Sequence, residues 1–305
     1  MSVLVIGSTN IDISVGVDRF PKKGETLIGK DLAYKYGGKG ANQACALGKL
    51  GSDVTFLTCV GNDAHGHEII DYLSSVGVKT DRVKYTSAYP TGTATITVDA
   101  NGDNIIIVIQ GANKACDVDY IRANEDCFRT CNYVLLQMEI PFDAIEEAIL
   151  LAAKYNKRVV LNPAPASNAL NKALYKHISY MTPNEIEIKV MAGTDEGLEA
   201  NARQLLALGV ENVLVTLGSE GACLFSGVAE SIHVPAYKVE AVDTVAAGDC
   251  FNGAFVAALD RGEDVREAMK FANRASAVAV TRKGAQESIP TQEELENIIL
   301  GGNTK

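Results

Sequence analysis

Asp249 stands at the head of a helical pattern within Val242-Asp243-Thr244-Val245-Ala246-Ala247-Gly248-Asp249-Cys250-Phe251-Asn252-Gly253-Ala254-Phe255. Phe251, Phe255, Ala258 and Leu259 fall on one helical face and Gly262 is placed to stop the helix, so Ala246 to Asp249 form its first turn. Small residues there leave backbone N–H groups uncovered. Those donors and the positive end of the helix dipole make an anion pocket suited to a phosphoryl group in flight or a developing oxyanion. A carboxylate at its rim can take a proton from a hydroxyl that attacks phosphorus. The spacing is equally compatible with Asp243 or Asp249 merely capping the helix.

A second candidate is Tyr36-Gly37-Gly38-Lys39-Gly40-Ala41-Asn42-Gln43-Ala44. Gly40 follows the lysine where a Walker A motif needs Ser or Thr, and no Gly-x-Gly-x-x-Gly occurs in the chain. The glycines around Lys39, ahead of a helix-like Ala41–Leu50, allow close backbone approach to a polar ligand, or make a flexible turn. Asn10, Asp12, Glu139, Asn162 and Asn184 each follow a strand-like run. Ligands of open α/β sheets gather at the carboxyl ends of strands, so these residues could converge on a hydroxyl-rich molecule, although each alone suits a turn. Thr216-Leu217-Gly218-Ser219-Glu220-Gly221 follows another strand and could hold nucleotide phosphates or turn a hairpin. His65, His67, His177 and His233 have no metal-binding spacing.

The elements that must position these groups alternate along the chain. Strand-like Val3–Ile6, Val54–Val60, Tyr133–Met138, Arg158–Leu161 and Asn212–Leu217 are separated by one-faced helical segments at His67–Leu73, Ala144–Ala153 and Leu198–Leu208. Such alternation predicts a parallel sheet covered by helices on both faces. From about Ala246 to Leu300 the pattern is strongly helical. Two segments depart from it. Thr91–Gln110 alternates around Asn101-Gly102, a hairpin signal, and Ile11–Ile28 alternates loosely around Pro21 and Gly24. Both are expected in a small β-layer outside the main sheet, able to cover a ligand cleft or to form a dimer contact.

Composition sets outer limits. The 305 residues carry 28 basic and 38 acidic side chains, a net charge of −10, so nucleic acid is not an expected partner and any bound anion needs a local device. No segment approaches the roughly 18 apolar residues of a membrane helix, and no positively charged leader opens the chain. The seven scattered cysteines, without a Cys-x-x-Cys pair, suit a reducing cytoplasm, with Cys45, Cys223 and Cys250 as small core fillers.

The segments together resemble the PfkB-type carbohydrate kinases. The matching pieces are Gly7 to Asp12, Pro21 to Thr26, Gly37 to Ala44, Asn162 to Ala166, Thr182 to Glu185, Thr216 to Gly221, Asp243 to Asn252 and Thr281 to Gln286. They run in the family's order along nearly the whole chain, and Gly37–Ala44 and Asp243–Gly253 correspond to its two signature regions. The resemblance implies one three-layer αβα domain over residues 1–305, with a central mostly parallel sheet. A β-sheet lid, from segments about 11–31 and 89–111, would also clasp a homodimer. It implies transfer of the ATP γ-phosphoryl group to the 5-hydroxyl of D-ribose, with Mg²⁺ and an activating K⁺. By matching position, Asp249 is the catalytic base and Ala246, Ala247 and Gly248 supply the anion hole. Asn10, Asp12, Gly38, Lys39, Asn42 and Glu139 form the sugar set together with Asp249. Asn184, Thr216, Leu217, Gly218, Ser219, Glu220, Gly221, Gly248 and Asn273 form the nucleotide set. Asp243, Val245, Ala279, Arg282, Gly284 and Ser288 would hold the monovalent cation.

Overall fold

A computed structural model describes residues 2–227 and 230–298. Its strands are β1 (Val3–Ile6), β2 (Asn10–Gly16), β3 (Asp31–Gly37), β4 (Val54–Leu57), β5 (Cys59–Gly61), β6 (Val78–Lys79), β7 (Lys84–Thr86), β8 (Gly92–Val98), β9 (Asn104–Ile109), β10 (Tyr133–Leu136), β11 (Arg158–Leu161), β12 (Tyr180–Met181), β13 (Asn212–Thr216), β14 (Ala222–Ser226) and β15 (Ile232–Val234). The helices are α1 (Lys39–Lys49), α2 (Ala64–Ser75), α3 (Val118–Ala123), α4 (Glu125–Thr130), α5 (Phe142–Lys154), α6 (Glu187–Ala192), α7 (Leu198–Ala207), α8 (Ala247–Asp260), α9 (Val265–Ala279) and α10 (Gln292–Asn297).

The main sheet runs β15-β14-β13-β12-β11-β10-β1-β4-β6, parallel from β13 to β6 and antiparallel at β14 and β15. Strand β1 reads Val-Leu-Val-Ile and is buried at every position, as a strand covered on both faces requires. Its alternation feeds two cores. Val3 and Val5 pack with residues of α1, α2, α8 and α9, whereas Leu4 and Ile6 pack with residues of α3 to α7. From β1 the chain builds outward through β4 and β6 on one side and later through β10 and β11 on the other. The carboxyl ends of β1 and β10 therefore flank a topological switch point, where a crevice must open.

A separate four-stranded sheet, β3-β2-β8-β9, accounts for the two segments that depart from the strand–helix pattern. Its β8–β9 hairpin turns at Asp99–Asp103, with Gly102 at φ +87 and Asp99 Oδ1 accepting from the amides of Asn101 and Asp103. The sheet extends further than the pattern indicates, because β3 reaches Gly37.

Two other boundaries differ from expectation. The apolar run 54–60 is two strands in different sheets. Thr58 divides them because its buried hydroxyl meets that of Thr9 at 2.9 Å and its carbonyl accepts from Tyr120 Oη and the Lys84 amide. The helical C-terminal third is interrupted between Ala279 and Gln292, and the expected end at Leu300 lies outside the described residues. Among the described residues no helix is long and apolar enough to cross a membrane.

Candidate active site

The crevice is closed on one side by two helices that meet through a glycine. A Cβ on Gly253 would lie 2.5 Å from the Ala46 Cβ and 2.9 Å from the Gln43 carbonyl, so only glycine lets α1 and α8 come this close. The approach brings α1 side chains onto Asp249. Asn42 Nδ2 donates to Asp249 Oδ2 and Gln43 Nε2 to Oδ1, both at 2.9 Å, and the carboxylate is buried. Gln286 Nε2 in turn donates to Asn42 Oδ1 at 3.1 Å.

Helix α8 starts at Ala246, which holds the left-handed conformation (φ 58, ψ 10) and makes no side-chain cap. Asp243 and Asp249 are thus not capping residues. Asp243 Oδ1 instead accepts from the Val245 amide. The Gly248 and Asp249 amides belong to a first turn without intrahelical acceptors, and a Cβ on Gly248 would meet nothing, so the space before it is open.

Helix α1 begins at the carboxyl end of β1. Gly38 takes φ +88, and a Cβ there would collide with the backbone of residues 8–10. Glu139, just beyond β10, caps this helix from across the switch point, Oε2 accepting from the Lys39 amide at 3.1 Å and from Ser8 Oγ at 2.5 Å. Asn10 Oδ1 accepts from Asn113 Nδ2 at 2.7 Å, and Asn113 Oδ1 accepts from the Thr9 amide. Asp12 lies against Gly37, where any Cβ would strike its carboxylate. Its pKa is pushed up to about 7 by burial and by Glu139, Asp249 and Glu287, with Lys35 opposing. Burial disfavours the Lys39 ammonium, yet Asp249, Glu139 and Glu187 together outweigh it and hold Lys39 above the usual lysine range.

Two adjoining cavities share Asn184, Thr216, Thr244, Ala247 and Gly248. The smaller, about 230 Å³, is bounded by Lys39, Asn162, Thr182, Glu187 and the Ala246–Asp249 turn. The larger, about 750 Å³, is bounded by Gly218, Ser219, Gly221, the 236–239 segment, Phe251 and Asn273. Asn184 sits between them with Oδ1 accepting from the amides of Ile186 and Glu187, so its side chain starts α6. Leu217 packs on the core, and neither it nor Glu220, whose carbonyl meets His233 Nε2, lines either cavity. Asn273 braces that wall, Nδ2 donating to the carbonyls of Val234 and Pro235.

Asp243, Val245 and Gly284 come together, the Gly284 amide donating to Asp243 Oδ2 at 3.1 Å, with Lys35 Nζ 3.8 Å from the same oxygen. Ala279, Arg282 and Ser288 lie along the following turn with local partners: the Arg282 amide donates to the Ala279 carbonyl, the Arg282 side chain pairs with Glu294, and Ser288 Oγ donates to the Ala285 carbonyl. Sequence reasoning missed Glu187, Gln137, Thr182, Asn252 and Gln286. Thr182, Asn252 and Gln286 lie inside family-matching segments but were given no role, and Glu187 left a local signal, three residues after Asn184 as in a helix-start pair; its carboxyl is raised above the usual range by burial, though Asn184 and Lys39 oppose the shift.

A carboxylate poised over open helix amides, with a cationic lysine beside a small polar cavity that leads into a larger one, is the arrangement of a phosphotransferase acting on an alcohol. The profile of the pfkB family carbohydrate kinases matches residues 1–292. A ribokinase of Schizosaccharomyces pombe is 39% identical over 97% of each chain, and a deoxyribokinase of Salmonella typhi is 38% identical over 98% of this chain and 99% of its own. The solved structure of Arabidopsis thaliana ribokinase complexed with ribose and ATP superposes with a TM-score of 0.90 at 33% identity, over 96% of this chain and 97% of that one. The chain belongs to the pfkB family of carbohydrate kinases, and its large mostly parallel sheet with a separate small sheet is the ribokinase-like fold.

Proposed function

We propose that this enzyme transfers the γ-phosphoryl group of ATP to the 5-hydroxyl of D-ribose, giving D-ribose 5-phosphate and ADP. The observation that carries the reading is the buried Asp249 carboxylate, held by two amide donors beside the open first turn of α8. Both amides donate, so they grip the carboxylate by its two oxygens and fix the way it faces. The sugar occupies the polar crevice of Asn10, Asp12, Gly38, Lys39, Asn42 and Glu139, and its 5-hydroxyl gives its proton to Asp249. Amides of the Ala246–Gly248 turn and the Lys39 ammonium meet the negative charge on the transferring group. ATP lies along the larger cavity, toward the Thr216–Gly221 loop and Asn273.

Glu187, with one oxygen on the Asn184 amide, and the polar wall around it suit a hydrated Mg²⁺ carried in with the nucleotide. That ion supplies charge neutralisation on the phosphates. The Asp243 carboxylate and carbonyls of Val245, Ala279, Arg282 and Gly284, with the Ser288 hydroxyl, are hard oxygen donors suited to K⁺, which would steady the loop that shapes the anion hole. Residues 1–305 act as one domain, with the small sheet as a lid. Ile105 to Ile109 of β9 are each about half exposed, and burying them against a second copy gives the homodimer. A cytoplasmic location would suit the phosphorylated product.

Deoxyribose is the second reading, favoured by the 38% identity to a deoxyribokinase. ADP release coupled to a reporter decides between them, with ATP and Mg²⁺ across ribose, deoxyribose, fructose and adenosine, with and without K⁺. Ribose-dependent turnover is expected, and Asp249→Asn abolishes turnover while sparing binding. A preference for another acceptor moves the specificity, and retained turnover in Asp249→Asn removes Asp249 as the base.

A further inference from the structure

Behind Asp249 lies a run of buried amide side chains whose direction is set at one end. The Thr182 carbonyl can only accept, so the Asn162 amide that meets it at 2.9 Å presents Nδ2 and turns Oδ1 the other way. That oxygen accepts from Gln43 Nε2 at 3.1 Å, and the same nitrogen donates to Asp249 Oδ1 at 2.9 Å. Gln43 Oε1 then accepts from Gln137 Nε2 at 2.6 Å. At the far end Gln137 Oε1 is buried without a partner, pressed against Gly7, where an added Cβ would lie 2.0 Å from it. Turning the Gln43 amide over would aim its oxygen at two acceptors, Asn162 Oδ1 and Asp249 Oδ1. The unsatisfied oxygen is thus left at Gln137, away from the carboxylate, and the polarity of the whole run follows from one backbone carbonyl.

We propose that Gln43 is a positioning residue for the phosphoryl transfer, donating to Oδ1 so that the Asp249 carboxylate is held turned toward the substrate hydroxyl, with Asn162 and Gln137 fixing the direction of its amide. The proposal rests on the reading of Asp249 as the base. Other groups set the field around that carboxylate. Lys39 of α1, Asp12 of β2 and Glu187 of α6 face it, and Cys250 adjoins it on α8 with a thiol pushed up to about 12 by burial. Asn42 is the second direct donor. Gln43 is distinct in being fully buried, its amide meeting Asp249 and the cavity-lining Asn162 rather than the crevice itself.

The test compares the parent enzyme with Gln43→Met and Gln137→Met, which keep side-chain length and remove the amide, by measuring kcat and the sugar KM from pH 5 to 9. Losing the donor frees the Asp249 carboxylate to turn away from the hydroxyl, so kcat falls by about tenfold across this range. The sugar KM stays within about threefold, because Gln43 makes no contact with the sugar itself. Gln137→Met lowers kcat by less with KM likewise unchanged, and it carries the test if Gln43→Met does not fold. A folded variant whose kcat stays within twofold of the parent, or whose KM rises as much as kcat falls, overturns the proposal. Asp249→Asn is assayed alongside. If it is inactive while the Met variants keep the parent kcat, the base reading stands and the positioning role falls; if it retains turnover, the base reading itself has failed.

Discussion

Gly253→Ala tests whether the spacing of two helices sets the chemistry. The added Cβ would sit 2.5 Å from Ala46 Cβ, whereas carbon atoms pack at about 3.5–4.0 Å. Relief requires α1 and α8 to part by about 1 Å, because the opposing atom is fixed to the α1 backbone and cannot swing away. Overpacking of this kind costs about 1–3 kcal/mol, a fall in Tm of several degrees. The functional effect is larger. Asn42 and Gln43 lie within one turn of Ala46, so their 2.9 Å bonds to Asp249 stretch to roughly 3.9 Å, beyond hydrogen-bond range. A misplacement of that size lowers turnover by about a hundredfold. The assay is coupled ADP release at saturating sugar and ATP, with Tm by calorimetry. A variant whose kcat stays within twofold of the parent refutes the argument that helix spacing positions the base.

Other expectations are as direct. Asp12, with its pKa raised to about 7, binds a proton more tightly folded than unfolded, so its contribution to stability falls as pH rises from about 4 to about 7. Asp12→Asn should therefore raise Tm relative to the parent at pH 8 more than at pH 5, while weakening sugar binding; equal differences at both pH values would contradict the buried, proton-holding Asp12. Asp243→Ala should abolish activation by K⁺ while leaving a basal rate, and an unchanged activation ratio would move the cation site elsewhere. In sedimentation at micromolar concentration the parent is expected to run as a dimer, and Ile105→Lys with Ile107→Lys as a monomer. A monomeric parent would remove the proposed role of the small sheet as an interface.

Much of the fold was open to a reader of the sequence because its signals are local. Strand–helix alternation, the Asn101-Gly102 hairpin and the small-residue first turn of α8 depend on period and turn chemistry over a few residues, and each lies where that chemistry puts it. The division of the 54–60 run was not legible, since Thr58 is claimed by Thr9, Tyr120 and Lys84 from distant segments. Strand β3 was hidden because Tyr36 and Gly37 also begin a glycine-rich turn, and local signals for turn and strand overlap there.

The candidate site divides in the same way. Asp249, the Lys39 turn and the polar strand ends were recognisable as types at useful spacings. What each does was decided by partners far along the chain: Asn42 and Gln43 reach Asp249 across 207 and 206 residues, and Glu139 caps α1 across 100. Glu187, Gln137 and Gln286 gained their places only because β1 and β10 became neighbours and Gly253 let two helices touch. Residue type and spacing determined that this chain could form an alternating sheet with an anion-binding helix start. The pairing of elements, which buries one carboxylate against chosen donors, was determined by long-range packing, because burial and hydrogen-bond satisfaction are properties of the assembled core.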